Sequence, residues 1–251
     1  VHPGPEGPSD PMWRLLVGTA RACPAESAAL VLDRYGKLPG DLRRLLALRL
    51  LGRIGDPAAR PRLESVLAGE GGEAAGLRPL FRRTAALALG RIGLDRMPAA
   101  ATVLAGSEDA EDRMAAAVLL GGTAGEAALA PLLRLLLDER WRVRDAARDA
   151  LLRRQDGAQA VLAEVEGAAG WRRLTLVRLL GDLESRAAAP RLLALVRPGD
   201  PVLAWTAARA LARCGSREQI EQALDRLGKG EGNLVAAARA HLERKLGGME
   251  A

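Results

Sequence analysis

Histidine, cysteine, lysine and aromatic residues are all scarce in this chain. Its 251 residues include two histidines, two cysteines, three lysines, four tryptophans, one tyrosine and one phenylalanine. Catalysis needs titratable groups that converge in a pocket, and His2 and His241 give little to build one from. No His-Glu-x-x-His, paired His-Glu or Cys-x-x-Cys spacing occurs, so no metal-ligand set is written into the chain. A Gly-x-Ser-x-Gly nucleophile elbow is missing too. The expectation is a non-enzymatic protein with no catalytic, cofactor-binding or metal residues and no cofactor. Long apolar runs are also lacking. Val1 to Pro11 carries four prolines, and the stretch from Met12 to Ala22 is broken by Arg14 and Arg21, well short of the roughly 20 residues that span a bilayer. No membrane span and no secretory signal are expected, and a cytoplasmic location with them.

The hydrophobic share is 49%, supplied mostly by leucine and alanine. Such side chains suit closely packed helices and give little for a sheet, which favours β-branched and aromatic residues. The fold class expected is therefore all-α. Basic residues number 37 against 31 acidic ones, a net charge of +6. Spread over this length, that charge reads as a solvated helical surface, with nucleic acid or an acidic membrane as the partners a basic balance can otherwise mean.

What the chain does contain is a repeat. A leucine recurs in one phase at Leu51, Leu89, Leu120, Leu151, Leu180, Leu211 and Leu242, with gaps of 38, 31, 31, 29, 31 and 31 residues. A period of this size marks units that bury their apolar faces only against neighbours. Taking the residue after each leucine as position zero, five places earlier stand Ala47, Ala85, Ala116, Ala147, Leu176, Ala207 and Ala238. This residue and the leucine share one helical face, the alanine admitting a neighbouring helix and the leucine filling the core. Glycines at zero (Gly52, Gly90, Gly121, Gly181), and again at Gly55 and Gly93, read as left-handed helix ends. A second, shorter helix follows in each unit, with Pro61, Pro131 and Pro190 at its start. The first and sixth units hold Cys23 and Cys214, too far apart in such an array for a disulfide. Two free cysteines agree with a reducing compartment.

The string from Ala47 to Leu63 (ALRLLGRIGDPAARPRL) resembles the short HEAT repeat of the phycobilisome-lyase HEAT-like type, and Arg82–Gly93 and Arg173–Gly181 echo it. The resemblance implies an α-solenoid, a right-handed superhelix of about seven short helical hairpins. The organisation expected is a Pro/Gly-rich leader at 1–11, a solenoid over 12–247 and a tail at 248–251. A Gly-rich insertion of about seven residues falls at 68–78. The ends are expected to differ from the middle: residues 12–35 form a starting hairpin, and residues 233–246 a capping helix with a polar outer face bearing His241.

Two arginine ladders run through the repeat. Eight places before zero stand Arg44, Arg82, Arg113, Arg144 and Arg173, near helix N-termini, where the dipole opposes a cation. These want acidic partners; Asp41 and Asp109 are spaced to serve Arg44 and Arg113. The resemblance implies that this arginine ties one unit to the next. The second ladder, Arg53, Arg91, Arg153, Arg213 and Arg244, meets the negative end of the dipole. Trp141 and Trp171 open first helices, Trp205 lies mid-helix and Trp13 is in the starting hairpin; all are expected to pack between repeats rather than to form stacking platforms for bases. In the resembled family the second helices form the concave, partner-facing surface. Its basic residues here are Arg60, Arg62, Arg134, Arg186 and Arg191, mixed with acidic ones. The function this implies is a scaffold or adaptor that binds another protein along that face. The alternatives are nucleic-acid binding, as in the HEAT-like alkylpurine DNA glycosylases, and a bilin lyase or lyase chaperone.

Overall fold

Alanine and leucine at fixed places in the repeat set how closely its helices stack. In a computed structural model that describes residues 22–38, 40–72, 74–228 and 232–249, the seven phased leucines are fully buried, and the residues five places before zero are buried with them. The described residues are all-α. The helices are α1 (Pro24–Tyr35), α2 (Asp41–Ile54), α3 (Arg60–Ala68), α4 (Arg78–Ile92), α5 (Ala99–Ala105), α6 (Ala110–Gly121) and α7 (Leu129–Leu135). They continue with α8 (Trp141–Arg153), α9 (Gly157–Gly167), α10 (Gly170–Asp182), α11 (Ala189–Leu195), α12 (Pro201–Cys214), α13 (Arg217–Leu227) and α14 (Asn233–Gly247). Each even-numbered helix is a first helix carrying one phased leucine, and the odd-numbered helices from α3 to α13 are the second helices. This is an α-solenoid of HEAT-like hairpins.

The chain forms two compact units, Val1–Ala150 and Leu151–Ala251, with the boundary inside α8. In the first, α2 packs on α4 and α4 on α6, while α3 packs on α4 and α5 on α6. In the second, α10 packs on α12 and α12 on α14, with α11 and α13 each against the next first helix. Each unit is thus a stack in which a hairpin buries its apolar face against the hairpin that follows. Among the described residues, the one extended pairing is a parallel bridge between Leu94 and Thr123, two loops at equivalent places in successive hairpins.

Local signals fix the ends of the hairpins. Asp56 accepts from the Ala58 amide at 2.8 Å and opens a single 3-10 turn, Pro57–Ala59, that leads into α3. Similar turns at Glu126–Ala128 and Arg186–Ala188 precede α7 and α11. Pro61, Pro131 and Pro190 lie in the first turn of their helices, where a missing N–H leaves no bond unmade. Ser216 and Gln219 close a capping box on α13. In the insertion, α3 stops at Gly69 (φ +87°) and a 3-10 turn at Ala75–Leu77 leads into α4.

The zero-position glycines do something other than the sequence suggests. Gly55 and Gly93 end their helices with positive φ, as expected. Gly52, Gly90 and Gly181 instead lie within helices and mark where first helices touch. A Cβ at Gly52 would stand 2.6 Å from Ala88 Cα, one at Gly181 2.7 Å from Ala210 Cα, and one at Gly90 would collide with the Val118 carbonyl. The expected starting hairpin is described only from Ala22, so its earlier residues, Trp13 among them, and the leader lie outside the described residues, as do His2 and the last two residues of the tail.

Candidate protein-interaction site

The first arginine ladder does more than pair with acids. Arg113 on α6 donates through Nη1 to the Ser107 and Glu108 carbonyls, at 3.0 and 2.9 Å. One repeat later, Arg144 on α8 donates through Nη1 to the Asp138 and Glu139 carbonyls, both at 2.8 Å. The acceptors lie six and five residues before the arginine in each case, so the side chain folds back and closes the loop that feeds its own helix. Arg173 reaches the Glu166 carbonyl at 3.5 Å, and Arg44 lies 3.9 Å from Asp41. Arg82 is the exception: it donates no hydrogen bond and joins no ion pair among the described residues. Its guanidinium rests where a Gly69 side chain would begin.

The links between repeats use acids the sequence spacing did not single out. Arg113 forms a two-pronged pair with Asp138, Nε to Oδ2 at 2.6 Å and Nη2 to Oδ1 at 3.0 Å. Those side chains are only 11% and 8% exposed. Burial pushes the Asp138 carboxyl up, but the Arg113 bonds and charge, with the Arg140 amide, outweigh it and hold it below the usual carboxylate range. Asp109, expected beside Arg113, caps Glu111 and pairs with Arg83, which also holds Asp112. Arg83 and Asp138 are one-off residues, invisible to a search for repeating positions. From the second ladder, Arg213 reaches Asp182 at 2.6 Å and Glu184 at 3.4 Å, joining the ends of α12 and α10.

The five arginines expected on the partner-facing surface divide. In the first unit, Arg60 pairs with Asp95 at 3.1 Å, Arg62 lies 4.4 Å over the Tyr35 ring, and Arg134 is exposed on α7. In the second unit, Arg191 pairs with Glu166 at 3.0 Å. Arg186 is exposed, but it belongs to the turn before α11 and not to the helix. The tryptophans correct the packing expectation. Trp141 and Trp171, at the first turns of α8 and α10, are 61% and 59% exposed. Trp205 packs edge-on against His241, ring centroids 5.8 Å apart, and the Arg209 guanidinium lies over the Trp205 ring at 5.5 Å. Burial, then the charges of Arg244 and Arg209, lowers the His241 pKa.

In the first unit, α3, α4 and α5 enclose a cavity of about 530 Å³. Leu67 and Leu104 form buried walls, Arg82 faces in from α4, and Val103, Glu64 and Arg96 stand at the exposed rim. It is the size of a cleft that takes a small ligand or a few side chains. Cys23 and Cys214 are free, and burial raises the Cys214 thiol. Among the described residues, no group of three or more His, Cys, Asp or Glu is placed to hold a metal ion. No described helix is long and apolar enough to cross a membrane.

Residues 44–69, from the ladder arginine of α2 to the Gly69 cap of α3, match the PBS lyase HEAT-like repeat. The match agrees with the HEAT-type hairpins of the fold, an architecture that suits a protein-interaction surface. No curated protein matches the chain significantly. Among solved structures it is similar to human deoxyhypusine hydroxylase in complex with glycerol, at 22% identity and a TM-score of 0.39, over 98% of this chain and 93% of that one.

Proposed function

We propose that this chain serves as a lyase chaperone: a non-catalytic repeat protein that holds a protein client for a bilin lyase. The observation that carries this reading is the match of residues 44–69 to the PBS lyase HEAT-like repeat. It favours the lyase side over the general scaffold that the sequence led one to expect. The client-holding half of the proposal rests on stacked hairpins with second-helix surfaces of mixed charge. Arg60 and Arg191 sit in ion pairs while Arg134 and Arg186 remain exposed. Mixed charge suits a protein surface better than a phosphate backbone, which needs a continuous basic track.

The test is reconstitution with purified chain, a bilin and the apoprotein of a bilin-carrying protein. The expected result is one-to-one binding of the apoprotein, with faster adduct formation when a separate lyase is added. A covalent adduct made by the chain alone would make it the lyase. Neither binding nor acceleration would remove both lyase readings and return the general scaffold.

A further inference from the structure

We infer that the cavity between α3 and α5 is a peptide-recognition pocket in which Arg82 binds a carboxylate. Its occupant is a short segment of a partner protein that presents an apolar side chain next to an acidic one. The inference rests on the client-holding reading for the partner being a protein, and on the pocket's own chemistry for what that partner presents.

The comparison between repeats carries the argument. Arg113 and Arg144 spend their Nη1 groups on carbonyls six and five residues back. For Arg82 the corresponding residues are Gly76 and Leu77, which belong to the 3-10 turn at the end of the insertion. That turn runs directly into α4, and Arg82 bends instead over Gly69 at the end of α3. Next to the insertion, Arg82 thus lacks the loop-closing bonds that Arg113 and Arg144 make. The guanidinium faces a cavity of about 530 Å³, and its Nε, like those of Arg44 and Arg173, is out of solvent with no acceptor among the described residues. A guanidinium in such a place gains most from a carboxylate, which takes two parallel charge-assisted hydrogen bonds. Leu67 and Leu104 give an apolar residue somewhere to go, and Val103, 67% exposed at the rim, extends that surface outward. Glu64 at the same rim disfavours a polyanion, while Arg96 adds a second cation for the acidic residue.

The experiment is an NMR titration of the full chain, reading the Arg82 Nε–H signal and the Val103 and Leu104 methyls. The probes are acetyl-Leu-Glu-amide, its neutral isostere acetyl-Leu-Gln-amide, octanoate and an oligothymidylate. The glutamate peptide is expected to saturate these signals with affinity at least about tenfold above the glutamine peptide, as a charge-assisted bond requires. Arg82→Gln should erase that preference and leave the thermal midpoint in place, since Arg82 makes no hydrogen bond or ion pair among the described residues. Val103→Glu, at an exposed rim position, should weaken the glutamate peptide without harming the fold. Equal binding of the two peptides, or no shift at these nuclei, would overturn the pocket. So would stronger binding of octanoate or the oligonucleotide, or a stability loss in Arg82→Gln. Failure here with apoprotein binding intact would leave the client-holding reading standing, with the client elsewhere. Loss of apoprotein binding with peptide selectivity retained would remove that reading and keep the pocket.

Discussion

Asp138→Asn should show how much one link between repeats is worth. The carboxylate takes two hydrogen bonds from Arg113, at 2.6 and 3.0 Å, and a third from the Arg140 amide at 2.9 Å. Both side chains are about nine-tenths buried, so solvent screening offers little discount. Breaking a buried pair from one side costs about 3–5 kcal/mol because the partner charge is left unpaired, and Asp138→Ala should fall in that range. Asparagine keeps one oxygen, which cannot serve all three donors at once. We expect Asp138→Asn to cost about 1.5–3 kcal/mol, one charge-assisted hydrogen bond with its charge. The assay is urea unfolding followed by far-ultraviolet circular dichroism, with Asp95→Asn as the control. Asp95 is 90% exposed in its pair with Arg60, and such pairs contribute about 1 kcal/mol or less. The pH dependence supplies a second readout. The folded-state pKa of Asp138 is depressed. Its contribution is therefore present above the unfolded value of about 3.9 and is lost as pH falls through the folded value. Asp138→Asn should flatten that part of the acid limb. Equal losses at Asp138 and Asp95 would refute the reasoning.

Three further outcomes are expected. Gly181→Ala should destabilise, because steric overlap with Ala210 at about 1–3 kcal/mol outweighs the roughly 1 kcal/mol that alanine gains in a helix; a stabilised variant in thermal melts would mean that α10 and α12 do not approach this closely. Leu211→Ala and Leu242→Ala should each cost about 2–5 kcal/mol, because Leu242 is as fully buried as Leu211; chemical denaturation showing a much smaller loss at Leu242 would mean that α14 packs more loosely than α12. The lowered pKa of His241 means the unfolded chain binds its proton more readily, so stability should fall as pH drops below about 6.5. His241→Gln should blunt that fall, and an unchanged pH profile between the two proteins would count against the partial burial of His241 beside Trp205.

Much of the architecture was legible because a repeat writes the same physical demand several times. The leucine phase predicted seven buried positions, and the alanine phase predicted the close faces, since period and residue size together say what lies between two helices. Gly55 and Gly93 were readable as left-handed ends. Gly52, Gly90 and Gly181 were misread as ends, because the sequence does not distinguish a glycine needed for its φ from one needed for its missing Cβ. Trp141 and Trp171 were misplaced for a related reason: a large ring at the first turn suggests a core, but only the geometry of the neighbouring hairpin reveals whether anything lies over it.

The candidate site was less legible than the fold. Spacing along one helix pointed Arg113 at Asp109, while its partner is Asp138, 25 residues on and one loop away. The sequence alone determined that helices form, how often, and which faces they bury, because period, propensity and side-chain size act locally and identically in every unit. Tertiary structure decided what each arginine does. A guanidinium at the end of a long stem can reach a carbonyl in its own loop, an acid in the next or an empty cavity, and which it finds depends on how the loops fall. Arg113 finds both carbonyls and an acid, Arg144 finds carbonyls, and Arg82 lies against the cavity beside Gly69.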